Sequence, residues 1–231
     1  MSETISETAS TFESLKVLVH EPDVEADSCI IWLHGLGATA YDFAPITPFI
    51  RQYSGQPGLR MIYPQAPSLS VSINGGMMMP AWYDILSASP RRTINTHQYQ
   101  QAIHAIQDLV KQQINNGLES KRVFIAGFSQ GGAVAYQAAC GFTESLAGVI
   151  SLSTYIADTL KIAPENQQLP VFIGHGSQDM VVPEMLGLEA LEWFRANRFE
   201  PVWKKYPLQH EVSEGELKDV ADFISQTLSA H

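Results

Sequence analysis

The fold of this chain is decided by the stretch Val123-Phe124-Ile125-Ala126-Gly127-Phe128-Ser129-Gln130-Gly131-Gly132-Ala133-Val134-Ala135. An apolar run typical of a buried strand passes directly into Gly-x-Ser-x-Gly and then into an alanine-rich run typical of a helix. The joint is so tight that large side chains two residues either side of the serine would collide. It lifts the Ser129 hydroxyl above the sheet, and the next helix points its N-terminus there. The stretch predicts a nucleophilic serine; a glycine-rich joint that only permits close packing is the alternative.

Short apolar runs and segments of helical period alternate along the rest of the chain. The runs predict strands at Leu15–His20, Cys29–Leu33, Arg60–Tyr63, Arg122–Phe128, Gly148–Leu152, Val171–Gly174 and Val202–Tyr206. Helical spacing of apolar residues predicts helices over His97–Asn115, from Pro183 onward, and after Ser213, which forms a capping-box pair with Glu216. This alternation predicts right-handed βαβ crossovers and a doubly wound, mostly parallel α/β sheet.

Length and composition set the class of protein. The chain has 231 residues, 45% of them hydrophobic, which suits one large core. The net charge of −10 argues against a nucleic-acid surface, because phosphate binding needs clustered Lys and Arg. No stretch approaches the roughly 18 apolar residues of a membrane span, and the start of the chain lacks a secretory signal. We therefore expect a cytoplasmic protein with a polar tail at 1–14 and a single domain at 15–231.

One connection is longer than the others. It runs from Tyr63 to the helix near Thr96 and contains Asn74-Gly75-Gly76, followed by Met77, Met78, Met79, Trp82 and Tyr83. Loops longer than roughly 15 residues are usually functional or disordered, and the apolar content here favours order. We expect a hairpin-like flap at about 66–92. Because flexible thioether side chains suit variable apolar ligands, the methionines are interpreted as an acyl-binding wall rather than as core filler.

The serine needs a base within hydrogen-bond reach to take its proton. Proteins built on this joint carry serine, acid and histidine in that order along the chain. Three histidines follow Ser129. His231 ends the chain, and His175 precedes any plausible acid at the end of a strand. His210, on the loop between the last strand and the last helix, is therefore the predicted base.

Asp179, just past the strand at Val171–Gly174, is the predicted acid that orients the base. Asp158, after the preceding strand, is the rival, because the acid can lie on that neighbouring loop. Chain order and loop position favour Asp179. With this arrangement, activity is expected to rise with pH across the neutral range as His210 loses its proton.

A second glycine-rich turn, His34-Gly35-Leu36-Gly37, follows the strand at Cys29–Leu33. The backbone N–H groups of Leu36 and Gln130 form the predicted oxyanion hole, each donor worth about 2.7–4 kcal/mol. His34 is most simply a residue that hydrogen-bonds this loop. The pattern Gly35-x-Gly37-x-x-Ala40 also resembles a dinucleotide fingerprint. No acidic residue follows at the spacing that would hold a ribose, so the sequence favours the oxyanion loop.

Other reactive side chains receive simpler interpretations. Cys29 and Cys140 lie in apolar surroundings and are predicted to be buried free thiols. His104 falls on the polar face of its helix and is expected to be solvated. His175 and Asp179 could be imagined as metal ligands, but no metal-ligand spacing accompanies them. The sequence thus predicts neither a metal nor a cofactor.

Four blocks together resemble a known family. They are Leu33-His34-Gly35-Leu36-Gly37, then Asn74-Gly75-Gly76 through Pro80-Ala81-Trp82-Tyr83-Asp84, then Gly127-Phe128-Ser129-Gln130-Gly131-Gly132, and last Gly176-x-x-Asp179 with Val181-Val182-Pro183 and His210-Glu211-Val212. In this order they resemble the small carboxylesterases of the bacterial type that group with acyl-protein thioesterases and lysophospholipases. Met180, next to the predicted acid, departs from the polar or small residue that is commoner in the family at that place.

The resemblance implies an α/β-hydrolase fold without a large cap domain. It implies hydrolysis of short- to medium-chain carboxylic esters through an acyl-enzyme, with acyl-protein thioester or lysophospholipid hydrolysis as the alternative. Outside the enzyme class, the alternative is a non-catalytic acyl-binding relative. It also implies that the flap borders the acyl site and that a homodimer can form. Substrate contacts are expected from Gly35, Gly37, Met77, Met78, Met79, Trp82, Tyr83 and Val182.

Overall fold

The computed structural model describes Phe12 and residues 15–88 and 92–230. The tail predicted at 1–14 lies outside the described residues except for Phe12, as do the last residues of the predicted flap before Arg92.

The described residues form strands and helices in alternation. The strands are β1 Val17–His20, β2 Ser28–Leu33, β3 Leu59–Pro64, β4 Ser68–Val71, β5 Met77–Pro80, β6 Ile85–Ser87, β7 Thr93–Ile94, β8 Val123–Phe128, β9 Gly148–Leu152, β10 Val171–Gly176 and β11 Val202–Tyr206. The α-helices are α1 Ala40–Phe43, α2 Thr47–Ser54, α3 Thr96–Asn115, α4 Gln130–Cys140, α5 Glu184–Ala196 and α6 Glu214–Ser229. Each predicted strand and helix is present, with bounds that differ by one or two residues.

Seven strands form the central sheet in the order β1-β3-β2-β8-β9-β10-β11. Only β1 runs antiparallel to its neighbour; the other pairs are parallel. The sheet is thus mostly parallel, as predicted. Strands β1 and β11 are its two edges and are partly exposed, because each has a neighbour on one side only. Strands β1 and β11 therefore stay partly exposed, although both contain apolar residues.

Alternate side chains of β2 enter two separate apolar layers. Cys29, Ile31 and Leu33 pack on one face with residues of α3, α4 and α5. Ile30 and Trp32 pack on the other face with residues of α1, α2 and α6. Because helices cover both faces, the interior strands are buried throughout, which explains their continuous apolar runs. This is the doubly wound arrangement that the sequence predicts.

The strand order reverses between β2 and β8. From β2 the chain passes to β3 on one side, and later returns to β8 on the other. Leu33 lies directly beside Gly127 in the register of the two strands. In open α/β sheets the carboxyl ends of strands at such a reversal form a crevice that binds ligands. The loop after β2 and the turn after β8 both follow the carboxyl ends of these strands, which is where the rule places a ligand.

The predicted flap contains an antiparallel hairpin. Strands β4 and β5 pair from Ser68–Pro80 to Val71–Met77. Strands β6 and β7 form a second, shorter pair. The connection between β9 and β10 holds only a short 3-10 helix, Pro164–Asn166, so no cap domain stands over the sheet.

Candidate active site

Ser129 stands in a strained backbone conformation between β8 and α4. Its φ of 54° is in the left-handed region that non-glycine residues rarely adopt. The conformation is held from both sides, because Ser129 N–H donates to Leu152 O at 2.9 Å and Thr154 Oγ1 donates to Ser129 O at 2.6 Å. The Thr154 contact cannot be predicted from a local sequence pattern, because it joins loops that are distant in the chain.

Glycine is required on both sides of the serine by close backbone contacts. A Cβ on Gly127 would lie 2.5 Å from the Gly131 carbonyl group, and a Cβ on Gly131 would lie 2.5 Å from His34 O. Real Cβ atoms essentially never approach backbone so closely. The Gly-x-Ser-x-Gly pattern is thus explained by strand–helix packing and by the approach of the loop after β2.

The structure brings Ser129, His210 and Asp179 into one chain of hydrogen bonds. His210 Nδ1 lies 2.6 Å from Asp179 Oδ2, and His210 Nε2 lies 3.0 Å from Ser129 Oγ. A carboxylate only accepts, so Nδ1 carries the proton and Nε2 is free to accept from the serine hydroxyl. The Phe128 ring packs against the imidazole with a centroid distance of 4.6 Å. The motif around Ser129 does not by itself predict this contact of Phe128.

Asp179 is buried and held by its own loop. Its Oδ1 accepts hydrogen bonds from the backbone N–H groups of Val181 and Val182, both at 2.8 Å. His175 Nε2 lies 2.8 Å from Val182 O and must donate, because a carbonyl only accepts. Burial lowers the pKa of His175, which favours its neutral form. The rival acid, Asp158, is exposed and accepts from Thr159 N–H, away from His210.

His34 supports the loop after β2, as predicted. Its Nδ1 donates to Gly35 O at 2.8 Å, and its Nε2 accepts from Ala66 N–H at 3.1 Å. Burial lowers the pKa of His34, so the neutral ring that these two bonds require is favoured. The histidine therefore fixes the orientation of the Gly35 peptide.

Leu36 and Gln130 are the two predicted oxyanion donors: Leu36 lies on the loop after β2, and Gln130 is the first residue of α4, and the segments just before them are in contact. A Cβ on Gly35 would be 3.2 Å from Phe128 Cδ1 and 3.4 Å from Ser129 Cβ. The next amide in the loop, Gly37 N–H, is already used, because it donates to Pro80 O at 2.8 Å. Within the described chain, neither Leu36 N–H nor Gln130 N–H has a recorded backbone acceptor. Both remain able to donate to a ligand oxygen.

The Gln130 side chain binds the flap. Its Oε1 accepts from Trp82 N–H at 2.8 Å, and its Nε2 donates to Tyr83 O at 2.7 Å. Trp82 Nε1 in turn donates to His34 O at 2.8 Å. One residue of the serine joint thus connects the flap to the loop that carries Leu36. The sequence predicts a role for the backbone N–H of Gln130 but none for its side chain.

The expected substrate contacts divide into two groups. Met77 and Met78 are exposed, at 63% and 62%, and Met79 is partly buried. Trp82, Tyr83 and Val182 are buried and offer no open surface in this structure, because their side chains pack into the core. Substrate contact by these three side chains stays a prediction, and it requires them to become accessible, since none of them is exposed in this structure.

Other reactive groups lie apart from the site. Cys29 and Cys140 are free and buried, as predicted, and burial raises the pKa of Cys140 to about 12. Neither thiol is a competing nucleophile. Across residues 15–88 and 92–230, no group of three His, Cys, Asp or Glu side chains could hold a metal ion. No helix in that part of the chain is long and apolar enough to cross a membrane.

The fold and the crevice geometry define an α/β-hydrolase without a large cap. Residues 15–228 match the phospholipase/carboxylesterase family model, and the chain belongs to that family. It is accordingly a carboxylic ester hydrolase.

Two acyl-protein thioesterases and one solved structure are similar to this chain over most of its length. Acyl-protein thioesterase 1 of Saccharomyces cerevisiae is 33% identical over 89% of this chain and 95% of its own length. Acyl-protein thioesterase 1 of Gibberella zeae is 31% identical, over 86% and 90%. The crystal structure of Arabidopsis thaliana SOBER1 superposes with a TM-score of 0.80 at 26% identity, covering 87% of this chain and 99% of SOBER1. These relatives are eukaryotic, so they give the expected bacterial type no support.

Proposed function

We propose that this protein hydrolyses acyl thioesters on proteins through an acyl-enzyme on Ser129, and that it also accepts oxygen esters. The observation that carries the proposal is the continuous chain of hydrogen bonds from Ser129 Oγ through His210 to Asp179. A strained serine above the sheet, an imidazole hydrogen-bonded to it and a buried carboxylate behind the imidazole are the parts that nucleophilic acyl transfer needs.

In the first step, His210 Nε2 takes the hydroxyl proton while Ser129 Oγ attacks the acyl carbon. Asp179 keeps the proton on Nδ1 and stabilises the imidazolium that forms. The amides of Leu36 and Gln130 donate to the oxyanion, and each donor contributes about 2.7–4 kcal/mol. His210 then gives its proton to the leaving group.

In the second step, water replaces the leaving group. His210 takes a proton from the water as it attacks the acyl-enzyme, and Ser129 recovers its proton when the acid departs. These two half-reactions use the same side chains for thioesters and for esters. The chemistry alone therefore does not rank the two substrate classes.

The similarity of this chain to acyl-protein thioesterases supports thioesters as the first candidate substrate class. The chemistry of the leaving group is compatible with that order. A thiol has a pKa of about 8.5 and leaves as a thiolate more readily than an alcohol leaves as an alkoxide. Short- to medium-chain carboxylic esters, which a bacterial-type enzyme would prefer, are the second candidate, and lysophospholipids the third.

Two matched peptides separate the candidates, one with an S-octanoyl cysteine and one with an O-octanoyl serine at the same position. Wild type is expected to cleave both, with the larger kcat/KM for the thioester, and Ser129→Ala is expected to cleave neither. A larger kcat/KM for the serine ester would favour a carboxylesterase. Absence of cleavage of both peptides and of p-nitrophenyl butyrate would contradict the proposal.

A further inference from the structure

Arg92 joins segments that are far apart in the chain. Its Nη2 donates to Val181 O at 2.8 Å, and its guanidinium lies over the Tyr155 ring, 4.3 Å from the centroid. Its Nε is shielded from solvent and has no acceptor among the described residues. The guanidinium therefore contacts two loops at once, whereas the guanidinium of a solvated surface arginine contacts mainly water.

The first of these loops carries Asp179. Val181 accepts from Arg92 with its carbonyl and donates to Asp179 Oδ1 with its N–H at 2.8 Å. Asp179 Oδ2 then accepts from His210 Nδ1 at 2.6 Å. Val181 thus links the guanidinium to the carboxylate that orients His210. Among the described residues, no other side chain donates a hydrogen bond to Val181 O.

The second loop supports the flap. Tyr155 Oη and Tyr83 Oη are hydrogen-bonded at 2.8 Å, and Tyr83 O accepts from Gln130 Nε2 at 2.7 Å. The ring beneath Arg92 is therefore itself anchored to the joint that carries Ser129. This gives the guanidinium a fixed support on one side while it holds Val181 on the other.

A cavity of about 370 Å³ adjoins this contact and is lined by Arg92, Tyr155, Ile156, Leu186 and Trp193, among others. The described residues leave this space beside Arg92 unfilled, so no described side chain is packed there to replace a lost guanidinium. Water could hydrate Val181 O but would not hold the loop against Tyr155.

We propose that Arg92 is a positioning residue, which holds the loop of Asp179 through Val181 so that the carboxylate faces His210. Only a planar guanidinium can stack on Tyr155 and donate in its own plane to Val181 O. A lysine could reach the carbonyl but would lose the stacked geometry. The expected effect of Arg92 on turnover rests on the proposed function. Its expected effect on the Asp179–His210 hydrogen bond does not.

The test compares Arg92→Met and Arg92→Lys with Arg195→Met, a control at an exposed arginine of α5 whose side chain makes no hydrogen bond to a described residue. Thioester turnover gives kcat and KM, and proton NMR follows the strongly deshielded His210 Nδ1–H. We expect kcat to fall about tenfold in Arg92→Met with little change in KM, because a displaced catalytic group slows the reaction. Arg92→Lys should remain well below wild type, and Arg195→Met should equal it.

A third variant, Arg92→Ala, provides a rescue. Millimolar methylguanidinium should restore part of its kcat and return the His210 proton resonance toward its wild-type position, which also shows that the variant is folded. Wild-type kcat and an unshifted resonance in Arg92→Met would overturn the inference. A wild-type protein without turnover would instead contradict the proposed function, and the NMR comparison would still decide the role of Arg92.

Discussion

The side-chain carbonyl of Gln130 accepts a hydrogen bond from the backbone N–H of Trp82 at 2.8 Å. The same amide group donates to Tyr83 O at 2.7 Å, so it pairs with the flap as a strand would. Gln130 also carries one of the two proposed oxyanion donors on its backbone. The flap and the oxyanion hole are therefore connected through a single buried residue.

Replacing Gln130 by Glu is expected to lower both stability and kcat. A carboxylate oxygen would face Tyr83 O, and leaving that buried acceptor unpaired should cost about 1–3 kcal/mol in the free energy of unfolding. The displaced residue would also misplace its backbone N–H. Denaturant unfolding and thioester kinetics measure the two effects.

Gln137 supplies a matched control for this variant. It pairs with the backbone of Lys161 in the same way, at 3.0 Å and 2.8 Å, on the same helix but away from Ser129. Gln137→Glu should lose comparable stability while the folded enzyme keeps wild-type kcat. Equal losses of kcat in both variants would show that Gln130 has no special link to the oxyanion hole.

Asp179→Asn should lower kcat by about 10⁴-fold, the effect expected when the histidine is held in the wrong tautomer. The asparagine oxygen would remain with Val181 and Val182, so its NH₂ group would face His210 Nδ1. Kinetics of the folded variant provide the measurement, with Asp158→Asn as the control because Asp158 is exposed and its carboxylate accepts from Thr159 N–H. A larger loss of kcat in Asp158→Asn than in Asp179→Asn would show that Asp158 is the acid.

Glu216 makes stability fall as the pH rises. Burial raises the pKa of this carboxyl to about 8, above its ordinary value of 4.5. The folded state therefore binds a proton that the unfolded state has released, and stability is lost progressively between pH 4.5 and about 8. Glu216→Gln should remove this part of the pH dependence. Thermal melting at several pH values tests it, and an unchanged slope of Tm against pH in the variant would show that Glu216 is not protonated in the folded state.

Met78→Ser should raise KM for octanoyl substrates more than for acetyl substrates if the exposed methionines contact the acyl chain. Each methylene that loses its apolar contact costs about 0.8 kcal/mol, so a several-fold change is expected. Val24→Ser, at an exposed apolar residue before β2, is the control. Equal changes in KM for both chain lengths would remove Met78 from the acyl site.

Local patterns were sufficient to predict the parts of the site that local geometry determines. Gly127, Ser129 and Gly131 specify the joint within five residues, because a Cβ at either glycine would collide with backbone. His210 and Asp179 followed from their order along the chain and their places at strand ends.

Contacts between distant segments were not predictable in the same way. Trp82 and Tyr83 were expected on the acyl wall, yet an apolar side chain suits a wall and a core equally well, and only the fold shows that both are buried. Arg92 carries no signal in the sequence, because its significance depends on meeting Val181 and Tyr155 in space. The flap hairpin was expected, but its attachment to Gln130 was not.

Ser129 is the proposed nucleophile, and covalent labelling can identify the nucleophile without reference to any substrate. The protein is incubated with a fluorophosphonate, and peptide mass spectrometry locates the adduct, with Ser129→Ala treated in parallel. We expect one adduct on Ser129, none in the variant, and loss of ester turnover in step with labelling. An adduct on another residue, or full turnover by Ser129→Ala, would contradict it.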